Sequence, residues 1–201
     1  EKGSVGEGDL TPLAHIGLVM IGEGEANYKG RRMSSSEAHK LAGLDPVVLG
    51  PKDGLAIVSS SAFSAGEAAL AIKELRELVD MGDIISCLSL EGFNGNTSPI
   101  EAGVMAARKM EGQGKSAERM REYLAGSDIY GTYPGKPVQD PLCFRGAAYI
   151  NGSLRDALEY AEKYLFIQMN STDDNPCLLL DERRIISNSN FETTTLATAI
   201  E

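Results

Sequence analysis

The chain has 201 residues, 42% of them hydrophobic and 24% charged, and a formal net charge of −10 at pH 7. This length and apolar fraction support one domain with a real core, or part of a larger one, and exclude disorder. The negative charge excludes nucleic acid and anionic membrane as natural partners, while an acidic surface accepts a cationic or zwitterionic ligand. Three cysteines (Cys87, Cys143, Cys177) occur without a CxxC spacing, which predicts no disulfide framework and a reducing, cytoplasmic location. The opening EKGSVGEGDL has no signal-peptide pattern, and no apolar run is expected to reach membrane-spanning length. The closing TTTLATAIE stops inside a helical pattern, so the chain is expected to be a fragment.

In chain order, the glycine-rich GSVGEGDLTPLAHIG leads into a short apolar helix over Leu10–Met20. Tyr28–Met33 predicts a small hairpin or extended element around Gly30. Ser34 and Glu37 form a capping box for a short helix closed by Gly43. A long helix is expected from Leu55 to Val79, with apolar and alanine residues at three- and four-residue steps, deep in a bundle. Gly82 is expected to interrupt it before Ile84–Leu90. The Gly92–Pro99 cluster is a turn before a helix at Ile100–Lys109. Glu111–Lys115 reads as a polar link, followed by a short amphipathic helix at Ala117–Leu124. Gly126–Pro141 is a long loop without internal period, a kind of segment that is often functional. Ser153 with Asp156 predicts the start of an amphipathic helix carrying Leu154, Leu158, Ala161 and Leu165 on one face. A hairpin joins Leu178–Leu180 to Arg184–Ile186. The fold class is mainly α, a helical bundle with minor β-hairpins.

The opening loop is not a phosphate cradle. It follows no strand, lacks the Lys-Ser/Thr that closes a P-loop, and carries Glu7 and Asp9, which repel phosphate. Local chemistry alone reads it as a glycine turn with Asp9 capping the Leu10 helix.

Five blocks in order say more. GSVG…GDLTPLAHIGL, Gly50-Pro51-Lys52-Asp53-Gly54-Leu55-Ala56, Val138-Gln139-Asp140-Pro141 with Arg145, Asp174-Asn175-Pro176, and Asn190-Phe191 resemble the histidine and aromatic amino-acid ammonia-lyases. Each block is weak alone, and the ordered set is specific. The resemblance implies a largely helical, homotetrameric enzyme with active sites built from several subunits, which eliminates an amine from an α-amino acid. It also implies that residues 1–201 are the central part of that domain, its N-terminal and C-terminal portions lying outside the chain.

In that family an Ala-Ser-Gly triad in the opening loop cyclises and loses water to form methylidene-imidazolone, an electrophile that activates the amine for departure. Here Glu7-Gly8 stands where the family has three residues, and no Ser-Gly, Thr-Gly or Cys-Gly dipeptide occurs anywhere in the chain. No such cofactor is expected. Ser4, followed by β-branched Val5, is a poor candidate for a shifted ring. Two further residues depart: Ser59 replaces an asparagine and Leu142 a tyrosine that lie close to the electrophile in the family.

The pattern is similar to the electrophile-free, ergothionase-type branch, which releases trimethylamine from a histidine betaine. A quaternary ammonium departs far more readily than a neutral amine would, so the loop need only hold a cation, with Glu7 in place of the electrophile. The resemblance then assigns catalytic roles to Glu7, Gln139 and Arg145, and substrate contacts to Ser59, Leu142, Asn175 and Phe191. Arg145 suits a substrate carboxylate because its planar fork binds bidentately; pairing with Asp140 is its structural alternative. Gln139 orients substrate or loop, Asn175 is a pocket donor or a turn residue, and Phe191 is a pocket wall or core. Tyr130 and Tyr133 are candidates for closing over substrate. Lys52 reads as structural and Cys143 as a buried small apolar residue. The two histidines, His15 and His39, sit on separate helices without ligand spacing, so no metal site is expected. The implied partner is a small amino acid or betaine, and the base lies outside the chain. A degenerate inactive member and an ordinary histidine ammonia-lyase are the alternatives.

Overall fold

The computed structural model describes Gly3, residues 6–131 and residues 136–200, and it is mainly helical with two short hairpins. It forms two compact units, the first taking in residues 6–69 and 164–199, the second residues 70–163. Tyr133, Ser4 and Val5 lie outside the described residues.

In the first unit, helix α1 (Leu10–Met20) buries Pro12 and Leu13. Its Gly17 packs against α3 (Asp53–Val58), where a Cβ on that glycine would lie 3.3 Å from Ile57 Cγ2. Strands β1 (Glu25–Tyr28) and β2 (Arg31–Ser34) pair antiparallel with Tyr28 opposite Arg31. Lys29 and Gly30 turn between them with φ of 48° and 79°, the geometry that matches strand twist in a two-residue hairpin. The Ser34 hydroxyl accepts from Glu37 N at 3.3 Å and caps α2 (Ser35–Ala42), which closes at Gly43 as expected. Strands β3 (Cys177–Leu179) and β4 (Arg184–Ile186) make the second hairpin, followed by α9 (Thr194–Ile200).

The long helix departs from the sequence expectation. The break comes at Ser59–Ser61, between α3 and α4 (Ala62–Phe93), and α4 runs unbroken through Gly82. Serine hydroxyls compete with the helix for backbone partners, and here they have partners elsewhere in the first unit. Gly82 is accommodated because a helix tolerates an interior glycine at a cost of about 1 kcal/mol, and the Asn151 side chain occupies the space beside it. Burial along α4 follows one stripe through Ala65, Ile72, Val79, Asp83, Cys87 and Leu90. The helix is therefore not enclosed on several sides within this chain, and Leu70, Leu78, Ile85 and Leu88 are exposed. The stretch Asp53–Phe93 also holds an 18-residue window of mean hydropathy 1.5, long and apolar enough by length and composition to cross a membrane. That corrects the expectation drawn from large apolar residues alone, because alanine and interspersed apolar side chains raise the mean. The serine break interrupts the stretch.

In the second unit, α5 (Ala102–Arg108), α6 (Glu111–Tyr123), α7 (Leu142–Arg145) and most of α8 (Ala147–Met169) pack with α4 around Cys87, Leu90, Met105, Ala117, Met120 and Leu124. Burial, reinforced by the charges of Asp83 and Glu91, pushes the Cys87 thiol up to about 11, so it stays protonated. Phe93 and Phe144 stack with ring centroids 4.3 Å apart. Two sequence expectations fail here. Glu111–Lys115 is the first part of α6, not a link, because α8 supplies its cap: Gly112 N donates to Asp156 Oδ1 at 2.8 Å. Ser153 sits inside α8 and starts nothing, its hydroxyl donating to Tyr149 O at 2.9 Å one turn back. The helices meet at glycines, since a Cβ on Gly112 would lie 2.1 Å from Gly152 O.

Buried charge joins α4, α6 and α8. Asp83 is wholly buried and accepts from Arg155 Nη2 at 2.6 Å and Asn151 Nδ2 at 3.0 Å, and Arg155 also reaches Asp80 at 2.7 Å. Arg155 Nε donates to the fully buried Ser116 hydroxyl at 2.9 Å. Paired this way the charge is tolerable in the interior; alone it would not be.

Candidate functional site

The first unit brings four of the sequence-predicted residues, Glu7, Ser59, Asn175 and Phe191, onto four segments joined by hydrogen bonds. The junction is the α3–α4 break. Ser60 O accepts from Asp9 N at 2.7 Å, which fastens the glycine loop. The Asp9 carboxylate, buried at 2% exposure, accepts from Ser64 N and Ser64 Oγ, both at 2.7 Å. Asp9 thus caps α4 and makes no side-chain bond to α1, correcting the local reading. An acceptor there satisfies donors that the first turn of a helix leaves free.

The next two segments attach at the same break. Ser59 Oγ, buried, accepts from Asn175 N at 3.3 Å. Ser61 Oγ donates to Phe191 O. Asp173 Oδ2 accepts from Ser61 N at 2.8 Å, Ser60 Oγ at 3.0 Å and Gln168 Nε2 at 3.3 Å. Asn175 precedes Pro176 through a cis peptide, and its Oδ1 accepts from Asn188 N at 2.9 Å. Asn188 Nδ2 in turn donates to Asp174 O at 3.0 Å. Asn175 is therefore committed to holding its own loop. Lys52 pairs with Asp174, in line with its structural reading.

Glu7 and Glu192 meet above this frame. Gly8 carries φ +74°, which favours glycine, and a Cβ there would be 3.7 Å from the ring of half-buried Phe191. The residue before Gly8 is exposed Glu7; the residue after Phe191 is Glu192. Interaction with Glu192, hydrogen bonding first and charge second, raises the Glu7 carboxyl above its usual range. Glu192 is held below its usual range as the acceptor from Glu7 and from Thr194 Oγ1, which lies 3.0 Å from Oε2. The opposite shifts make Glu7 the member that holds its proton to higher pH, and the pair gains negative charge as Glu7 ionises.

The remaining predicted residues, Gln139, Leu142 and Arg145, belong to the second unit. Gln139 is exposed and Leu142, at 72% exposure, opens α7. Arg145 is half-buried, its Nε buried without a partner. The Arg145–Asp140 pairing is not formed: Asp140, at 3% exposure, accepts instead from Asn96 N at 2.5 Å. Cys143 is exposed, contrary to expectation, because α7 is a single turn that leaves it on the outer face. Tyr130, 47% exposed, ends a short 3₁₀ turn at Asp128–Tyr130. Among the described residues no group of His, Cys, Asp or Glu side chains has metal-binding geometry.

Sequence reasoning missed Glu192, Asp173, Ser60 and Ser61 as members of this frame. Adjacency was the available signal, since each flanks a motif residue. Their pairing across more than a hundred residues of sequence carries no local pattern.

A family model described as aromatic amino acid lyase matches residues 1–201. The chain is 38% identical to the histidine ammonia-lyase of Stigmatella aurantiaca over all of its length and 40% of that protein's. It is 40% identical to the histidine ammonia-lyase of Alkaliphilus metalliredigens, over 95% of the chain and 38% of that protein. Among solved structures it is similar to ergothionase from Treponema denticola in complex with desmethyl-ergothioneine sulfonic acid, with TM-score 0.95 and 46% identity, covering 99% of the chain and 40% of that protein. The chain spans about two fifths of the length of these relatives. Matched along its whole length, with the glycine loop, the GLA helix, the DNP turn and Phe191 folded around one junction, the chain belongs to the aromatic amino acid lyase family.

Proposed function

We propose that residues 1–201 are the central part of a cytoplasmic, homotetrameric carbon–nitrogen lyase that eliminates trimethylamine from a histidine-derived betaine such as ergothioneine. The observation that carries this reading is Glu7 directly ahead of Gly8, which folds against the Phe191 ring, with Glu192 next to Phe191 in sequence. Two carboxyls on segments that meet at Gly8 and Phe191 suit a quaternary ammonium, which attracts both negative charge and an aromatic face. Similarity to the ergothionase structure supports the same substrate class.

The residues present do not fit a methylidene-imidazolone. Its formation requires a hydroxyl to eliminate directly ahead of the glycine, and here Gly8 is preceded by Glu7. The reaction balances without it. A base outside this chain takes the β-proton, the C–H electrons form the double bond, and the C–N pair leaves with neutral trimethylamine. Glu7 and Glu192 hold and orient the cation; their attraction falls as its charge departs, so they act mainly on binding. The carboxylate-binding role of Arg145 and the orienting role of Gln139 rest on their motif, and the unpartnered Arg145 Nε leaves a donor for an acceptor. The exposed apolar residues of α4, Leu78 and Leu88 among them, are covered by further helices of the whole enzyme or its copies.

The full-length protein incubated with histidine, histidine betaine and ergothioneine is the test, followed by the ultraviolet absorbance of the acrylate. Product from a betaine alone supports the reading. Product from histidine overturns it in favour of an ordinary ammonia-lyase, and no product from any substrate favours an inactive member. The 201-residue chain alone is expected to be inactive, because the base lies outside it.

A further inference from the structure

We propose that Asp173 is a positioning residue which, through Ser60 and Ser61, sets the spacing between the loop carrying Glu7 and the segment carrying Glu192. The proposal rests on reading those carboxyls as the cation-holding pair. Long-range hydrogen bonds tie both segments to the α3–α4 break. The glycine loop carrying Glu7 is fastened through Asp9, its N–H on Ser60 O and its carboxylate on Ser64. Glu192 follows Phe191, whose carbonyl accepts from the Ser61 hydroxyl. Both anchors converge on one dipeptide, Ser60-Ser61, at 6% and 1% exposure.

That dipeptide precedes α4, whose ladder reaches it only through Ser61 O, the acceptor from Ala65 N at 3.0 Å. Asp173 holds its other groups. One of its oxygens, Oδ2, accepts from Ser61 N at 2.8 Å and Ser60 Oγ at 3.0 Å, while Ser60 Oγ also accepts from Ala62 N at 3.0 Å. The carboxylate thereby sets the rotamer of Ser60 and the peptide plane of Ser61, and with them the directions of Ser60 O and Ser61 Oγ. Gln168 Nε2, at 3.3 Å, holds Asp173 from α8. A charged acceptor binding a backbone N–H and a hydroxyl together is stronger than neutral bonds of the same geometry. An error of about 1 Å in such a support is enough to spoil a binding geometry.

The experiment uses the full-length protein, with crystal structures and kinetics of Asp173→Ala, Asp173→Asn and Ser61→Ala. In Asp173→Ala the Glu7 and Glu192 carboxyls are expected to separate beyond hydrogen-bond distance while the helices superpose. In kinetics on the betaine, kcat/KM is expected to fall about tenfold through KM, the lower end of what supporting residues cost. The acidic limb of its pH profile is expected to move toward that of an ordinary glutamate. Asn, whose amide oxygen still accepts from Ser60 Oγ and Ser61 N, is expected to restore both within about threefold. If Asp173→Ala does not fold, Ser61→Ala removes only the hydroxyl on Phe191 O and is expected to displace Glu192 while Glu7 stays. An intact carboxyl pair in the folded Asp173→Ala or Ser61→Ala crystal, or an unmoved pH profile, overturns the proposal. If the wild type turns over no betaine, the functional reading falls separately, and the crystal structures still decide whether Asp173 positions the pair.

Discussion

At the scale of single residues the loop is governed by one exchange: a carboxyl group where the family has a hydroxyl. Glu7→Gln in the full-length protein, assayed above the pH at which Glu7 ionises, is expected to raise KM for a trimethylammonium substrate about three- to tenfold with a smaller change in kcat, since an exposed charge pair contributes about 0.2–1 kcal/mol and a fixed one somewhat more. Steady-state kinetics on the betaine measure it. The pH dependence follows from the opposite displacements of the two carboxyls. Glu7 is raised, so it ionises at higher pH than a free glutamate. As pH climbs through that raised value the pair passes from one negative charge to two, and affinity for a cation increases. Binding of tetramethylammonium by calorimetry across the acidic range is expected to show this rise, and Glu192→Gln to flatten it. Glu7 was legible in the sequence as a replacement within a known motif. Glu192 was not, because nothing local distinguishes it from any glutamate after a phenylalanine; its role depends on a fold that returns it to Glu7 across the chain.

At the scale of elements, helices are bounded here as much by their neighbours as by their own sequence. Capping signals at Ser34–Glu37 were read correctly because that cap is made within one turn. The Ser153–Asp156 signal misled because Asp156 caps α6, a different helix. The glycines at the α6–α8 contact give a direct test. Gly112→Ala or Gly152→Ala is expected to destabilise the protein by about 1–3 kcal/mol, since either Cβ collides with backbone that has little room to move. Gly82→Ala is expected to cost less, its Cβ meeting the Asn151 side chain at 3.4 Å. Denaturant unfolding compares the three. The buried Asp83 is a second test: Asp83→Ala leaves Arg155 with Asp80 and strips Asn151 of an acceptor, and is expected to cost about 1–3 kcal/mol, measured the same way.

At the scale of the whole molecule, the exposed leucines of α4 agree with the proposal that residues 1–201 are the central part of a larger bundle. Replacing Leu78 and Leu88 by glutamate in the full-length protein is expected to lower its mass in solution, read by light scattering, because burying two unpaired carboxylates at a helix contact is unfavourable. The sequence by itself determined the helical class, both hairpins, the family and the missing hydroxyl ahead of Gly8, since periodicity, turn residues and ordered motifs are properties of neighbouring positions. Only the tertiary structure decided where the long helix breaks, what Asp9 and Asp156 cap, that Arg145 has no partner in Asp140, and that Glu7 meets Glu192. Each of these is a hydrogen bond, or the lack of one, between groups far apart in the chain. A serine triplet is helix or junction according to whether an aspartate such as Asp173 is folded against it, and the sequence around the serines is the same in either case.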